Sequence, residues 1–160
     1  MKLRRYESKD LPEIADLFRE TILTVNCRDY SQEQVEVWAK RWQNLLRRDE
    51  WFLRLFTLVA EQDGKIIGYG NIDESGYLDH LYVHRNYQRQ GVATALCEAL
   101  EVYTDCNVTV DASITAKPFF EQRGYKLLKE NAVELEGIFL TNFTMVKERE
   151  QQHENRSIGI

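Results

Sequence analysis

No stretch of this 160-residue sequence approaches the roughly 20 consecutive apolar residues of a membrane span. No membrane partner is therefore expected. The N-terminal MKLRRYESKD carries basic residues with no apolar segment behind them, so it does not read as a secretory signal. The three cysteines, Cys27, Cys97 and Cys106, form no CxxC and are odd in number. A disulfide framework is thereby excluded, and a reduced, cytoplasmic protein is expected. His80, His84 and His153 do not fall at ligand spacing with those cysteines, so no metal site is expected. There is no surplus of positive charge: the formal net charge is −5 and the isoelectric point about 5.3. That argues against a general nucleic-acid binder and fits, weakly, a small or cationic partner. Internal repeats and low-complexity tracts are absent as well.

What is there suffices for a core. Hydrophobic residues make up 43% of the chain, and the length suits one domain. That domain is expected over residues 1–147, with a polar C-terminal tail over 148–160 (KEREQQHENRS and on).

Lys2 to Tyr6 reads as a strand. Asp10 and Glu13 resemble a capping box at the start of a helix with Ile14, Leu17, Phe18, Ile22 and Val25 on one face. Ser31 and Gln34 repeat that signal before a helix with Val35, Trp38 and Trp42 on one side. Thr57–Glu61 and Lys65–Asp73 form a hairpin around Asp63-Gly64. Gly68 and Gly70 inside its second strand suggest a bulge or a close backbone approach. Tyr77–Val83 is a strand, about 91–103 a helix and Asn107–Asp111 a strand. This βαβ unit makes its two strands parallel. A short helix over Ala116–Arg123 and strands at Tyr125–Val133 and Phe139–Val146 complete the chain. The fold class is α+β: a mostly antiparallel, twisted sheet with flanking helices and one central parallel pair.

Within the βαβ unit, an apolar strand runs through a turn of Arg, Asn and Gln into a single glycine, Gly91, and then into a helix. Such a turn directs backbone N–H groups outward at a helix start, where phosphate oxygens bind well. No Lys-Ser or Lys-Thr follows Gly91, which excludes a P-loop. One glycine where three are needed excludes a dinucleotide-binding Rossmann turn.

Gln88-Arg89-Gln90-Gly91-Val92-Ala93 resembles the pyrophosphate-arm motif Q/R-x-x-G-x-G/A of the GNAT superfamily of N-acetyltransferases. Ala116 to Tyr125 resembles that superfamily's A-x-x-F-Y-E-x-x-G-F segment. The run VDASITAKPFFEQRGY is most like the bacterial YafP-type subgroup. The resemblance spans roughly residues 2–147 and implies a GNAT-like sheet, acetyl-CoA as cofactor and transfer of its acetyl group to an amine. Cofactor contacts are then expected from Leu81, Tyr82, Val83, Gln88, Arg89, Gln90, Gly91, Val92, Ala93, Thr94, Ser113 and Phe120. Hydrogen bonds from the turn amides to a charged phosphate contribute about 1.5–3 kcal/mol each. The resemblance also implies that the strand of Tyr77–Val83 splays from that of Asn107–Asp111, and that the pantetheine arm enters the gap.

An alkylammonium acceptor has a pKa of about 10.4, so a base or water chain must take its proton. By the alternation of a strand, Tyr77, Asp79 and Leu81 share one face, with His80 on the other. Asp79 is the candidate base; pairing with a neighbouring arginine is the competing reading. Many members of the superfamily have tyrosine where this chain has Phe120, so a phenolic acid for the leaving thiolate is missing. That leaves a non-catalytic acyl-CoA-binding sensor or scaffold as the alternative function. Asn26, Tyr30 and Trp38, with Arg28 and Asp29, are candidates for the acceptor pocket, against a plain role in a helix connection. Asp29, Glu33, Asp73, Glu74 and Asp79 suggest a cationic small-molecule or peptide amine. A homodimer is compatible with the resemblance.

Overall fold

The computed structural model describes residues 1–149. Seven strands form one sheet in the order β1-β2-β3-β4-β5-β7-β6. They are β1 (Lys2–Arg5), β2 (Phe56–Gln62), β3 (Lys65–Ile72), β4 (Tyr77–Val83), β5 (Val108–Ser113), β6 (Lys126–Leu135) and β7 (Ile138–Lys147). Every neighbouring pair is antiparallel except β4 and β5. The expected mixed sheet with one central parallel pair is therefore present.

Helices cover both faces. On one lie α1 (Leu11–Thr24), α2 (Gln32–Ala39), α3 (Trp42–Leu45) and α4 (Asp49–Arg54). Ile14, Phe18, Ile22, Val35 and Phe52 pack there against Val59, Ile66 and Tyr69. On the other lie α5 (Val92–Glu101) and α6 (Lys117–Gln122), with Leu96, Leu100 and Phe120 packed on Ile67, Leu78, Val110 and Met145. Each half-core is apolar because alternate residues of a strand face opposite sides.

Two helix starts differ in kind. Ser31 Oγ accepts from Gln34 N–H while Gln34 Oε1 accepts from Ser31 N–H, the expected reciprocal box. Asp10, by contrast, makes no cap hydrogen bond to α1. Its buried carboxylate takes two hydrogen bonds from Arg4 and one from Glu7 N–H, all 2.8 Å. A 3-10 turn over Ser8–Asp10 intervenes and turns Asp10 back onto β1. The second helix also stops sooner than its pattern suggests, so Trp42 opens a separate turn, α3. Together α3 and α4 fill a stretch that sequence periodicity leaves unassigned, since four to six residues span too little of a helical period to register. Of the expected polar tail, residues 150–160 lie outside the described residues. Arg149 N–H donates to Asn107 Oδ1 at 2.8 Å.

Strand β4 carries a bulge. Asn71 of β3 is opposite His80, but Ile72 is opposite Leu78, so Asp79 has no partner. Asn71 Oδ1 accepts the His80 N–H at 2.9 Å and so substitutes a side-chain acceptor for the interrupted ladder. The extra residue changes which way side chains point. Leu78, Leu81 and Val83 pack toward α5; His80 and Tyr82 stack with Phe18 under α1. His80 opposes Leu81 as expected, but with Asp79 out of the ladder the alternation that groups Tyr77 and Asp79 with Leu81 does not hold: period-2 counting fails across a bulge.

Gly68 and Gly70 mark a close approach. A Cβ on Gly70 would sit 2.9 Å from both His80 O and Leu100 Cδ1. Helix α5 therefore lies directly on β3, with its N-terminus beside the end of β4. Replacing Gly70 with Ala should destabilise the protein by about 1–3 kcal/mol through overpacking. Chemical denaturation of the variant measures this, and an unchanged midpoint would show that the helix does not need the glycine.

Candidate active site

Strands β4 and β5 pair only at Tyr77 with Thr109 and Leu78 with Val110. Beyond Leu78 they part, and the edge of β4 that faces β5 has no ladder partner. A cleft of about 750 Å³ occupies the gap, lined by Leu81, Tyr82 and Val83 on one side and Val110 to Ser113 on the other. The turn before α5 and the aromatic rings of Phe119 and Phe120 line it as well.

That turn is built from left-handed residues. Arg89 has φ 58° and Gly91 φ 83°, a conformation costing a side-chain-bearing residue about 1–2 kcal/mol. Gln88 Nε2 donates to Val83 O at 2.6 Å and ties the turn to β4. A Cβ on Gly91 would meet nothing within 4 Å, so the space before the turn is open. Helix α5 has no side-chain cap. The N–H groups of Gly91, Val92, Ala93 and Thr94 find no acceptor among the described residues. Unpaired amides, the positive helix end and open space in front make an anion cradle. These features fit the pyrophosphate of a coenzyme A, with the gap between β4 and β5 for its pantetheine arm.

Every expected cofactor residue lines this cleft except Gln90. The Gln90 side chain folds back instead, its Nε2 donating to Asn86 O at 3.1 Å. Ser113 lines the cleft, but its Oγ is taken by Ala116 N–H at 3.0 Å. Thr115 lines the cleft as well, and its buried hydroxyl has no partner. Phe120 is buried, edge-on to Tyr125 at 5.0 Å between centroids, and packs as a core residue.

A second pocket, of about 380 Å³, lies on the opposite face of the sheet. Tyr77, His80 and Tyr82 line it from β4, Arg41, Asn44 and Arg48 from the chain around α3, and Thr141 and Asn142 from β7. Trp38, Asp79, Tyr82, Asp111 and Ser113 line both cavities. The two therefore meet where the strands part.

The residues expected around the acceptor distribute unevenly. Trp38 spans both cavities, while Asn26 and Arg28 line the larger cleft only. Tyr30 lines the smaller pocket, but its hydroxyl donates to Thr141 O at 2.6 Å and accepts from Ile114 N–H at 2.9 Å. It joins α2 to the ends of β5 and β7 and has no hydrogen left to donate. Of the five acidic residues expected nearby, only Asp79 lines the pocket; Asp29, Glu33, Asp73 and Glu74 do not. Asp111, Arg41 and Arg48 do line it, and no sequence pattern set them apart from other surface charges.

Removal from water raises the Asp79 pKa; Arg48 and Arg41 oppose that rise, and Asp73 and Asp111 add to it. Asp111 accepts hydrogen bonds from Tyr77 Oη at 2.9 Å and Thr144 Oγ1 at 2.6 Å. Burial lowers the His80 pKa to about 3, aided by Arg48 and Arg41, so the ring is neutral at physiological pH. Tyr69 is fully buried and its Oη lies 2.9 Å from His80 Nδ1. That nitrogen accepts the phenolic hydrogen, which otherwise has no acceptor, and the ring proton sits on Nε2.

Comparison with known proteins adds a family to this geometry. The acetyltransferase (GNAT) domain profile matches residues 26–147. An uncharacterized N-acetyltransferase of Escherichia coli K12, YafP, is 34% identical over 149 residues, covering 91% of this chain and 94% of that one. The crystal structure of a GCN5-related N-acetyltransferase from Rhodopseudomonas palustris is similar at a TM-score of 0.88 and 34% identity, over 92% of this chain and 95% of that one. The PaiA N-acetyltransferase of Thermoplasma acidophilum, in complex with coenzyme A, shares the fold at a TM-score of 0.69 and 20% identity, over 92% of this chain and 98% of that one.

The buried neutral histidine has a consequence for stability. Its folded pKa of about 3 lies below the ordinary 6.5, so between those values the unfolded chain binds a proton that the folded chain does not. Stability should therefore fall as pH drops from 6.5 to 5, above the range where Asp10 and Glu101 titrate. His80→Gln should flatten that fall. Urea denaturation of both proteins at pH 7.5, 6.0 and 5.0 tests this, and parallel losses would contradict it.

Proposed function

Since the chain belongs to the GNAT family of N-acetyltransferases, we propose that its larger cleft holds acetyl-CoA and its smaller pocket a primary amine of a small molecule or peptide. The amine attacks the thioester directly, without an acyl-enzyme. One observation carries this reading: the two cavities open into each other at Trp38, Asp79, Tyr82, Asp111 and Ser113. The donor assignment draws on the coenzyme A held by the PaiA relative and on the fit of the α5 turn to a pyrophosphate.

Acetyl-CoA supplies an activated acyl thioester. This chain's residues supply position and proton handling. The amides of Gly91 to Thr94 hold the pyrophosphate, and Arg89 adds a charge beside them. The unpaired edge of β4 over Leu81 to Val83 offers backbone donors along the cleft. A donor there stabilises negative charge on the acyl oxygen as it develops. Asp79 takes the proton of the amine, directly or through one water. Its raised pKa brings it closer to that task than an ordinary carboxylate. Phe120 offers no proton, and none is required, because a thiol of pKa about 8.5 is a fair leaving group. His80, neutral and spent on Tyr69, orients the wall rather than shuttling protons.

Two substitutions separate binding from chemistry. Gly91→Glu should abolish the thermal stabilisation that acetyl-CoA confers, because a carboxylate would enter the anion cradle. Asp79→Asn should keep that stabilisation and lower kcat/KM by roughly 100-fold or more. Thiol release from acetyl-CoA over a panel of amines reads both. Stabilisation by acetyl-CoA with no thiol release from any amine would instead favour the non-catalytic acyl-CoA-binding module.

A further inference from the structure

Resting on that reading, the acceptor pocket carries information about the class of amine it takes. Its lining carries both signs of charge. At the junction with the larger cleft is Asp79. Nearby Asp111 accepts from Tyr77 and Thr144, whereas the Asp79 carboxylate accepts no hydrogen bond among the described residues and faces the junction unpartnered. Arg41 and Arg48 line the same pocket.

Neither guanidinium has a carboxylate partner or a hydrogen bond among the described residues. Other arginines, Arg47 and Arg54 among them, are unpaired among those residues as well; Arg41 and Arg48 differ in that both line this pocket. Arg48 is nonetheless held in place, with its guanidinium 3.9 Å above the centre of the Trp51 ring. Stacking fixes the plane of the group and leaves its N–H edges free for an oxoanion. Both arginines lie near enough to act electrostatically on Asp79 and His80, which line the same pocket. Two unpaired guanidiniums facing a bare cation would repel it.

We infer that the acceptor is a small zwitterion: an amine that also carries an oxoanion, bound with its nitrogen at Asp79 and its anionic group between Arg41 and Arg48. Free amino acids and aminoalkylphosphonates share this chemistry. A pocket of about 380 Å³ has room for a molecule of that size. This replaces the cationic acceptor that the acidic composition of the chain suggests. Arg28, which the sequence offers for the acceptor pocket, lines the larger cleft and takes no part.

Isothermal titration of the coenzyme A-loaded protein tests the assignment. The probes are a panel of free amino acids, a panel of aminoalkylphosphonates, and the simple amine obtained by removing the acid group from each. At least one zwitterion should bind tenfold or more tightly than its matched amine, and the carboxylate and phosphonate panels tell which oxoanion is preferred. The Arg41→Gln, Arg48→Gln double variant should lose that preference while keeping its affinity for coenzyme A. Both side chains are exposed, so the variant is expected to fold. Equal binding of zwitterion and amine, no binding by any probe, or a preference that survives the double variant would overturn the assignment. The thiol-release assay on the same probes separates it from the reading it rests on. Preferential binding without turnover removes the enzyme claim and keeps the zwitterion pocket. Turnover of simple amines as fast as their zwitterions keeps the enzyme and removes the pocket's selectivity.

Discussion

The hydrogen bond from His80 N–H to Asn71 Oδ1 carries more consequence than any other in the molecule. It satisfies a backbone donor that the insertion of Asp79 would leave without an acceptor at the centre of the sheet. With that donor satisfied, β4 can hold an extra residue and turn its side chains over. Leu81 and Val83 then continue the apolar face under α5, while His80 and Tyr82 join the aromatic packing under α1. Asp79, freed from the ladder, stands where the two cavities meet.

A continuous sheet would keep its two faces apart. Here one face carries the anion cradle and the other the charged pocket, and chemistry between them requires a break in the sheet. The parting of β4 from β5 after Leu78 supplies it. The strands are held on either side of the break by separate means. Tyr30 joins the end of β5 to β7 through its single hydroxyl. On the other side, the contact of α5 with Gly68 and Gly70 locks the helix to β3 and sets its first turn beside the end of β4. Gln88 completes that side by binding Val83 O.

The site became legible in the sequence where its signals are local. Gly91 has to adopt positive φ before a helix start, and a residue type with that freedom stands out among Arg and Gln. The same holds for the polar turn, the βαβ order and the residues of β4 that line the cleft. That the Gln90 side chain folds back onto Asn86 is not legible, because position in a motif says nothing of where a side chain turns. Which of Ser113 and Thr115 caps the following turn is hidden for a similar reason. Both are hydroxyls near a helix start, and only the path of the chain decides which one reaches the Ala116 amide.

The sequence by itself determined the element order, the parallel pair, the family and the glycine turn that opens α5, because periodicity, turn chemistry and the QRQGVA motif act over a few residues. Tertiary structure alone decided the bulge at Asp79, which sequence counting cannot detect because the compensating acceptor, Asn71, sits on another strand. It also decided the makeup of the smaller pocket. Arg41 and Arg48 come from a stretch without a strong helical period, and they meet Asp79 only after α3, α4 and β4 have packed. Charge counted along the chain suggested a cationic acceptor; charge placed in space puts two unpaired guanidiniums in the same pocket as Asp79.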